Sequence, residues 1–182
     1  MSRTSGISAK TSLRQVAFIV CTALDGAGVQ VVLTGGSAAT VYAPAAYQSR
    51  DLDFVIAFQS KGAMANRALE RLGYHVQGNI YVHDASDLTL DFPPGPLTVG
   101  GDQVKDWDRL VDGRRHLNIL KPTDVCRDRL AGFLFWNDRG SLEQAVAVAR
   151  AQQDRVDLDS IRTWCARERA EEKFLQFRRQ LG

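Results

Sequence analysis

The chain has 182 residues, of which 45% are hydrophobic and 24% charged, and its formal net charge is +2. One domain of about 100 to 200 residues accounts for this length. The composition is that of a folded globular protein and excludes a disordered one. Acidic and basic residues are interleaved along the chain, which argues against a uniformly basic face for nucleic acid.

The start of the chain and the spacing of its cysteines bear on where the protein is located and on whether it has zinc sites or disulfides. Residues 1–12 lack the hydrophobic region of a signal peptide, and the apolar stretch 16–24 is too short to cross a membrane. We therefore expect a cytoplasmic protein without a membrane partner. The three cysteines lie far apart with no Cys-x-x-Cys pair, which speaks against a zinc knuckle and a disulfide framework and favours buried thiols.

The first part of the chain alternates helical and strand patterns. A helix is predicted over 12–27, a β-branched strand over 29–34 and a helix of small residues over 37–42. A strand over 52–58 and a helix over 62–72 come next. Short strands follow at 74–76, 79–82 and 88–92, before a proline-rich stop at 93–96, and two more are expected within 104–111 and at 116–120.

The rest of the chain has helical patterns. Four helices are predicted, of which the first covers 123–136 and the second begins at a capping box formed by Ser141 and Gln144. The third covers 158–169 and is capped by Asp157, and the fourth covers 171–181. In and after the first of these, Phe133 and Trp136 are assigned to the core, and Asp138 and Arg139 to an ion pair at the helix end.

These patterns together predict an α+β fold. Residues 1–120 form a mixed β-sheet flanked by helices, and residues 121–182 form a C-terminal helical bundle packed on that core.

A glycine turn, Gly35-Gly36-Ser37, stands between a predicted strand and a predicted helix. Backbone N–H groups at a helix N-terminus, aided by the helix dipole, bind anions such as phosphate. Glycine permits a close approach of the backbone, and the Ser37 hydroxyl adds a hydrogen-bond donor. The same residues also occur in plain turns, so a phosphate site depends on what lies beside them.

A pair of carboxylates lies in Arg50-Asp51-Leu52-Asp53-Phe54. Strand alternation places Asp51 and Asp53 on one face, while Leu52 and Phe54 point into the core. Like charges this close repel, so the pair favours a cation, and carboxylate oxygens together with phosphates suit Mg²⁺ or Mn²⁺. The alternative is an exposed strand end with solvated aspartates.

A third carboxylate is available on the strand predicted at 88–92. Its apolar residues form one face, and Asp91 lies on the other. If this strand neighbours that of Asp51, Asp91 completes the metal site and accepts the proton of an attacking hydroxyl as general base. Asp84 and Asp87 are competitors for this role.

The order of these features resembles the signature of the polymerase-β-like nucleotidyltransferase superfamily. In that signature a hydrophobic strand leads to Gly-Ser and then to an Asp-hydrophobic-Asp pair. Here residues 38–50 separate Ser37 from Asp51, which is at the upper limit of the family's spacing. The helical C-terminal part resembles small prokaryotic members, which include minimal nucleotidyltransferases, antibiotic-modifying enzymes and AbiEii-like toxin–antitoxin proteins.

The resemblance implies roles for these residues. The glycine turn, Gly35, Gly36 and Ser37, would hold the phosphates of a nucleoside triphosphate. Asp51 and Asp53 would bind two Mg²⁺ or Mn²⁺ ions, and Asp91 would ligate the catalytic ion and help to activate the acceptor. Independently of the resemblance, Arg50 and Lys121 are candidates to approach the triphosphate, with a solvated surface charge as the alternative for each.

The activity implied is transfer of a nucleoside monophosphate from a triphosphate, ATP by default, with pyrophosphate as leaving group. The acceptor is a hydroxyl or phosphate of tRNA, of a protein or of a small molecule, and a toxin–antitoxin partner is also implied.

Two other classes of function stay open. The first is a non-catalytic nucleotide-binding or antitoxin-like interaction protein with the same fold, which the clustered carboxylates disfavour. The second is a plain nucleic-acid-binding domain, which the dispersed basic residues disfavour. For the enzyme, we expect the carboxyl groups of Asp51, Asp53 and Asp91 to converge beside Ser37.

Overall fold

The computed structural model describes residues 6–57 and 62–182. Its first helix is α1 (Leu13–Gly26), and the N-cap of α1 is Ser12, whose side chain accepts a hydrogen bond from the backbone N–H of Gln15. The Gln15 side chain accepts from the backbone N–H of Ser12 in return, which completes a capping box. The remaining helices are α2 (Gly35–Tyr42), α3 (Gly62–Arg71), α4 (Pro122–Trp136), α5 (Arg139–Ala151), α6 (Leu158–Arg167) and α7 (Glu171–Leu181).

Nine strands form two sheets within the described residues. They are β1 (Val31–Thr34), β2 (Asp51–Ile56), β3 (Tyr74–Gln77), β4 (Ile80–His83), β5 (Ser86–Asp91), β6 (Thr98–Val99), β7 (Asp102–Gln103), β8 (Asp108–Asp112) and β9 (Arg115–Ile119). Seven of them form a mixed sheet in the order β3-β4-β5-β2-β1-β9-β8, and β6 pairs with β7 in a small hairpin.

Strand β2 lies at the centre of the larger sheet, and its two neighbours determine which residues meet. It runs antiparallel to β1, with Asp53 opposite Thr34. It runs parallel to β5, with Asp53 opposite Asp91. The end of β1, the start of α2 and the end of β5 therefore all lie beside Asp53.

One hydrophobic core joins the sheet to the C-terminal helices. It includes Leu33 and Phe54 of the sheet and Leu130 and Phe133 of α4, none of which has measurable solvent exposure. Helix α1 packs on β9 and β1, whereas α4 and α5 pack on α2. The change from strands to helices falls between Ile119 and Pro122. The predicted mixed sheet with flanking and C-terminal helices is confirmed.

Three predictions at the junction of α4 and α5 are wrong. Asp138, not Ser141, is the N-cap of α5, because its carboxylate accepts hydrogen bonds from the backbone N–H groups of Gly140 and Ser141. This capping role replaces the predicted ion pair of Asp138 with Arg139. Trp136, assigned to the core, is 77% exposed at the end of α4, whereas Phe133 is buried as expected.

The small hairpin of β6 and β7 has no counterpart among the predicted elements. It is attached to α4 by the buried Arg127, whose guanidinium donates to the Val99 carbonyl oxygen and to the Asp102 carboxylate. The same guanidinium lies 5.4 Å from the centroid of the Trp164 ring. A two-residue strand has too little periodic pattern to be recognised without these contacts.

Two remaining points concern single segments. The predicted strand 52–58 ends at Ile56, and its last position, Phe58, lies outside the described residues. Each of the helices α1 to α7 is too short or too polar to cross a membrane.

Candidate active site

The glycine turn forms the first turn of α2. Gly35 has a φ of +65°, a conformation that residues with a Cβ rarely adopt. A Cβ added to Gly35 would lie 2.3 Å from Oδ2 of Asp53, so only glycine allows the carboxylate to approach the turn this closely. Thr34, the N-cap, makes no side-chain hydrogen bond to the helix, because its hydroxyl donates to the Asp53 carbonyl oxygen instead.

The Ser37 hydroxyl connects the glycine turn to β2. Ser37 is fully buried, and its Oγ donates to the Thr34 carbonyl oxygen at 2.8 Å and accepts from the Asp53 backbone N–H at 3.2 Å. In this structure, therefore, the hydroxyl does not face outward as a phosphate donor. It fixes the turn and the carboxylate strand relative to each other.

We predict that Ser37→Ala lowers the free energy of unfolding by about 2 kcal/mol, because the buried N–H of Asp53 loses its partner. Urea unfolding followed by circular dichroism measures this change. Ser160→Ala is the matched control, since Ser160 is exposed on α6, and it should cost less than about 0.5 kcal/mol. Equal losses in both variants would contradict the connecting role of Ser37.

The register between β2 and β5 selects Asp91 among the three candidate carboxylates. Asp91 lies directly opposite Asp53 on the parallel neighbour, and residues in register on adjacent strands point to the same face. Asp87 lies four residues earlier on β5 and is exposed, and Asp84 lies in the turn before the strand. Asp53 and Asp91 are therefore the pair that the sheet brings together.

Asp51 shares the face of Asp53 but has a different environment. Asp51 is exposed to solvent, and its Oδ1 accepts a hydrogen bond of 2.6 Å from Ser49 Oγ. Within residues 6–57 and 62–182, no three acidic, histidine or cysteine side chains are already arranged as a set of metal ligands. The backbone thus places three carboxylates on one face, while their side chains are not preassembled around a common point.

The surroundings of Asp53 change the pKa of its carboxyl group. Burial, and then the charge of Asp51, raises its pKa from the ordinary 3.8 to about 6. The positive charge of Arg129 opposes this shift, and the carboxylates of Asp91 and Asp128 add to it. A partly buried carboxylate with three acidic neighbours is the environment in which a divalent cation is most favourable. The donor set therefore fits Mg²⁺ or Mn²⁺.

Two residues of α4, Asp128 and Arg129, border the site although the sequence did not assign them to it. Arg129 donates through Nε and Nη2 to Oδ2 of Asp128 at 3.0 and 2.7 Å. Both residues line a cleft of about 280 Å³ that also contains Asp53 and Gly35. Two threonines, Thr34 and Thr98, also line the cleft, and its apolar lining is formed by Val55, Pro93, Pro94, Pro96, Leu97 and Leu120.

The two basic residues proposed from the sequence occupy other positions. Lys121 forms an ion pair with Asp106 and lines a separate cleft with Asp124 and Arg155. Arg50 is exposed immediately before β2, and its carbonyl oxygen accepts a hydrogen bond from Thr89 N–H. Arg129, which the sequence did not assign, is a basic residue whose charge acts on Asp53.

The architecture is similar to that of solved nucleotidyltransferase-like proteins. An antigenic nucleotidyltransferase-like protein from Paracoccidioides brasiliensis aligns with a TM-score of 0.62 at 12% identity, over 96% of this chain and 94% of its own. The antibiotic-resistance factor ANT(2'')-Ia aligns with a TM-score of 0.54 in solution and 0.51 in its complex with adenylyl-2''-tobramycin. Both ANT(2'')-Ia alignments have 13% identity and cover 93% of this chain and 98% of the other.

These similarities confirm the predicted nucleotidyltransferase fold. No protein-family model matches the sequence, and no curated protein sequence matches it significantly. At 12–13% identity the solved structures establish the architecture alone.

Proposed function

We propose that this protein is a metal-dependent nucleotidyltransferase that moves a nucleoside monophosphate from a triphosphate, ATP by default, to a hydroxyl group of a small molecule. The observation that carries the proposal is the register of Asp53 with Asp91 beside the first turn of α2. A paired set of carboxylates next to a helix N-terminus is suited to hold a cation and a phosphate together.

Different residues would bind the triphosphate and the cations. The N-terminus of α2 at Gly35 and Gly36 binds the triphosphate through its N–H groups and dipole. Asp51, Asp53 and Asp91 would hold Mg²⁺ or Mn²⁺. When bound, the cations neutralise charge on the phosphates and on the leaving pyrophosphate.

Asp91 is the group that we assign to the acceptor. It lies at the end of β5, where the proline-rich segment that borders the cleft begins. A carboxylate at this point would accept the proton of the acceptor hydroxyl. The hydroxyl oxygen would attack the α-phosphorus while the bond from the α-phosphorus to pyrophosphate breaks. Arg129 also lines the cleft, and its charge acts on Asp53, so it would oppose the accumulation of negative charge during transfer.

The size and walls of the cleft support a small acceptor. A volume of about 280 Å³, lined by both charged and apolar residues, suits a small hydroxyl compound that has polar and apolar parts. The similar protein ANT(2'')-Ia has been solved with adenylyl-2''-tobramycin, which is an adenylylated small molecule. A tRNA or protein acceptor, a toxin–antitoxin partner and a cytoplasmic location remain predictions from the sequence.

The experiment is incubation with ATP labelled at the α-phosphorus, Mg²⁺ or Mn²⁺, and the small-molecule fraction of a cell extract. We expect label to appear in a new compound with the wild type, and the rate to fall by about 1000-fold in Asp91→Asn, since a metal ligand and a general base are lost together. Asp87→Asn changes an exposed carboxylate on the same strand and should act like the wild type.

Equal labelling by all three proteins would contradict the catalytic role of Asp91. ATP binding by the wild type without transfer to any compound would favour the non-catalytic nucleotide-binding protein.

A further inference from the structure

Two aromatic side chains at the end of α4 are unusually exposed. Trp136 is 77% and Phe135 51% exposed, and their ring centroids lie 5.9 Å apart with an angle of 77° between the planes. The helix ends directly after them, because Asn137 adopts a left-handed conformation with φ of 55°. A pair of large aromatic rings left in water is uncommon in a protein that buries Trp164 on α6 and partly buries Trp107.

The packing of α5 on α2 shows where this end of α4 lies. Near the C-terminus of α2, the side chain of Gln152 donates to the Tyr42 carbonyl oxygen at 3.4 Å. Near its N-terminus, Oε1 of Gln144 lies 3.5 Å from the position that a Cβ of Gly36 would occupy. The two helices therefore run in the same direction, and Asp138, the N-cap of α5, lies beyond the N-terminus of α2 together with residues 139–141.

Helix α4 runs antiparallel to α5 and projects in the same direction. Cys126 Sγ contacts the Ala145 carbonyl oxygen at 3.6 Å, and the position of a Cβ on Gly132 would lie 2.8 Å from Ser141 Oγ. Residues after Gly132 thus extend further past the N-terminus of α2 than Ser141 does. Phe135 and Trp136 follow Gly132 on α4 and therefore lie in the space beyond that N-terminus along the helix direction.

The same helix also connects these rings to the carboxylate site. Arg129 lines the cleft that contains Asp53, and Trp136 follows it by seven residues. Seven residues are two helical turns, so the two side chains share a face and are separated by roughly 10 Å along the axis. A triphosphate whose phosphates lie at the first turn of α2 would extend its nucleoside into this space.

We propose that Phe135 and Trp136 form a stacking platform for the base of the donor nucleotide. The inference rests on the proposed function, because it takes the N-terminus of α2 as the phosphate site. Every nucleobase has a planar π face, and stacking on an exposed aromatic ring is tolerant of base identity. The platform therefore favours nucleoside triphosphates over simple polyphosphates without strong selection among bases.

The test compares two ligands, ATP and inorganic tripolyphosphate, each with Mg²⁺, by isothermal titration calorimetry on the full chain. Trp136→Ala should weaken ATP binding about ten-fold and leave tripolyphosphate binding unchanged. Trp136→Phe keeps a ring and should recover most of the ATP affinity. Val111→Ala is the control, because Val111 is a 70% exposed apolar residue on the edge strand β8.

Tryptophan fluorescence gives a second measurement. ATP should quench wild-type emission more than tripolyphosphate does, and Trp136→Phe should lose this difference although Trp107 and Trp164 remain. Unchanged ATP binding in Trp136→Ala, or equal weakening of both ligands, would overturn the platform and leave the phosphate site intact. A wild type that binds neither ligand would overturn the proposed function together with the platform.

Discussion

Asp53→Asn will lower the rate of nucleotidyl transfer by about 1000-fold, because a metal-bound phosphoryl group owes several kcal/mol of its stabilisation to the cation. Asp53 is the residue on which the site converges, since it lies against Gly35, opposite Asp91 and within the field of Arg129. Initial rates with α-labelled ATP and Mg²⁺ measure the loss. Asp87→Asn, on the neighbouring strand β5 but outside the cluster, should keep the wild-type rate.

The same substitution should have the opposite effect on the stability of the metal-free protein. The pKa of Asp53 is raised from 3.8 to about 6 by burial and by its acidic neighbours. A carboxyl group whose pKa is raised in the folded state adds stability while it is protonated, below pH 4, and that stability is lost as the pH rises through 6. After allowance for solvent screening, the loss is about 2 kcal/mol.

Urea unfolding in EDTA between pH 4 and pH 7 checks this sign. The free energy of unfolding of the wild type should fall relative to that of Asp53→Asn as the pH rises, and Mg²⁺ should reverse the fall by favouring the ionised carboxylate. A difference between the two proteins that does not vary with pH would show that Asp53 is not the group that titrates.

The backbone arrangement at the centre of the candidate site could be predicted from the sequence, because each of its parts is encoded by neighbouring residues. A strand that ends in Gly35-Gly36-Ser37 and a strand that alternates Asp51, Leu52 and Asp53 each reveal their geometry within a few residues. Only the pairing of β2 with β5 had to be assumed, and the register of Asp53 with Asp91 satisfies that assumption.

The rim of the site could not be predicted, because it depends on how α4 docks on the sheet. Arg129 and Asp128 occur in an ordinary mixture of charges, and only long-range packing brings them to Asp53. Trp136 fits the helical pattern of a core residue, yet α4 extends beyond the helices that it packs on, and the Trp136 ring is exposed to solvent. Lys121 is near in sequence to the junction but pairs with Asp106 in another cleft.

Gly35→Ala should be the most damaging change to the glycine turn, and Gly36→Ala is its matched control. At Gly35 a Cβ would meet Asp53 Oδ2 at 2.3 Å in a backbone with φ of +65°. At Gly36 the nearest atom, Cε1 of Tyr47, would lie at 3.3 Å, and the backbone requires no positive φ. Both glycines are buried in the same turn of α2, so the difference between the two variants reports the left-handed backbone of Gly35 and its contact with the carboxylate together.

We expect Gly35→Ala to lower the free energy of unfolding by about 3 kcal/mol, from left-handed strain and displacement of Asp53, and to abolish Mg²⁺-dependent ATP binding. Gly36→Ala should cost about 1 kcal/mol or less and retain binding, since the exposed edge of the Tyr47 ring can yield. Urea unfolding and calorimetry measure the two effects separately. If both variants lost ATP binding equally, the approach of Asp53 to the turn would not be what assembles the site.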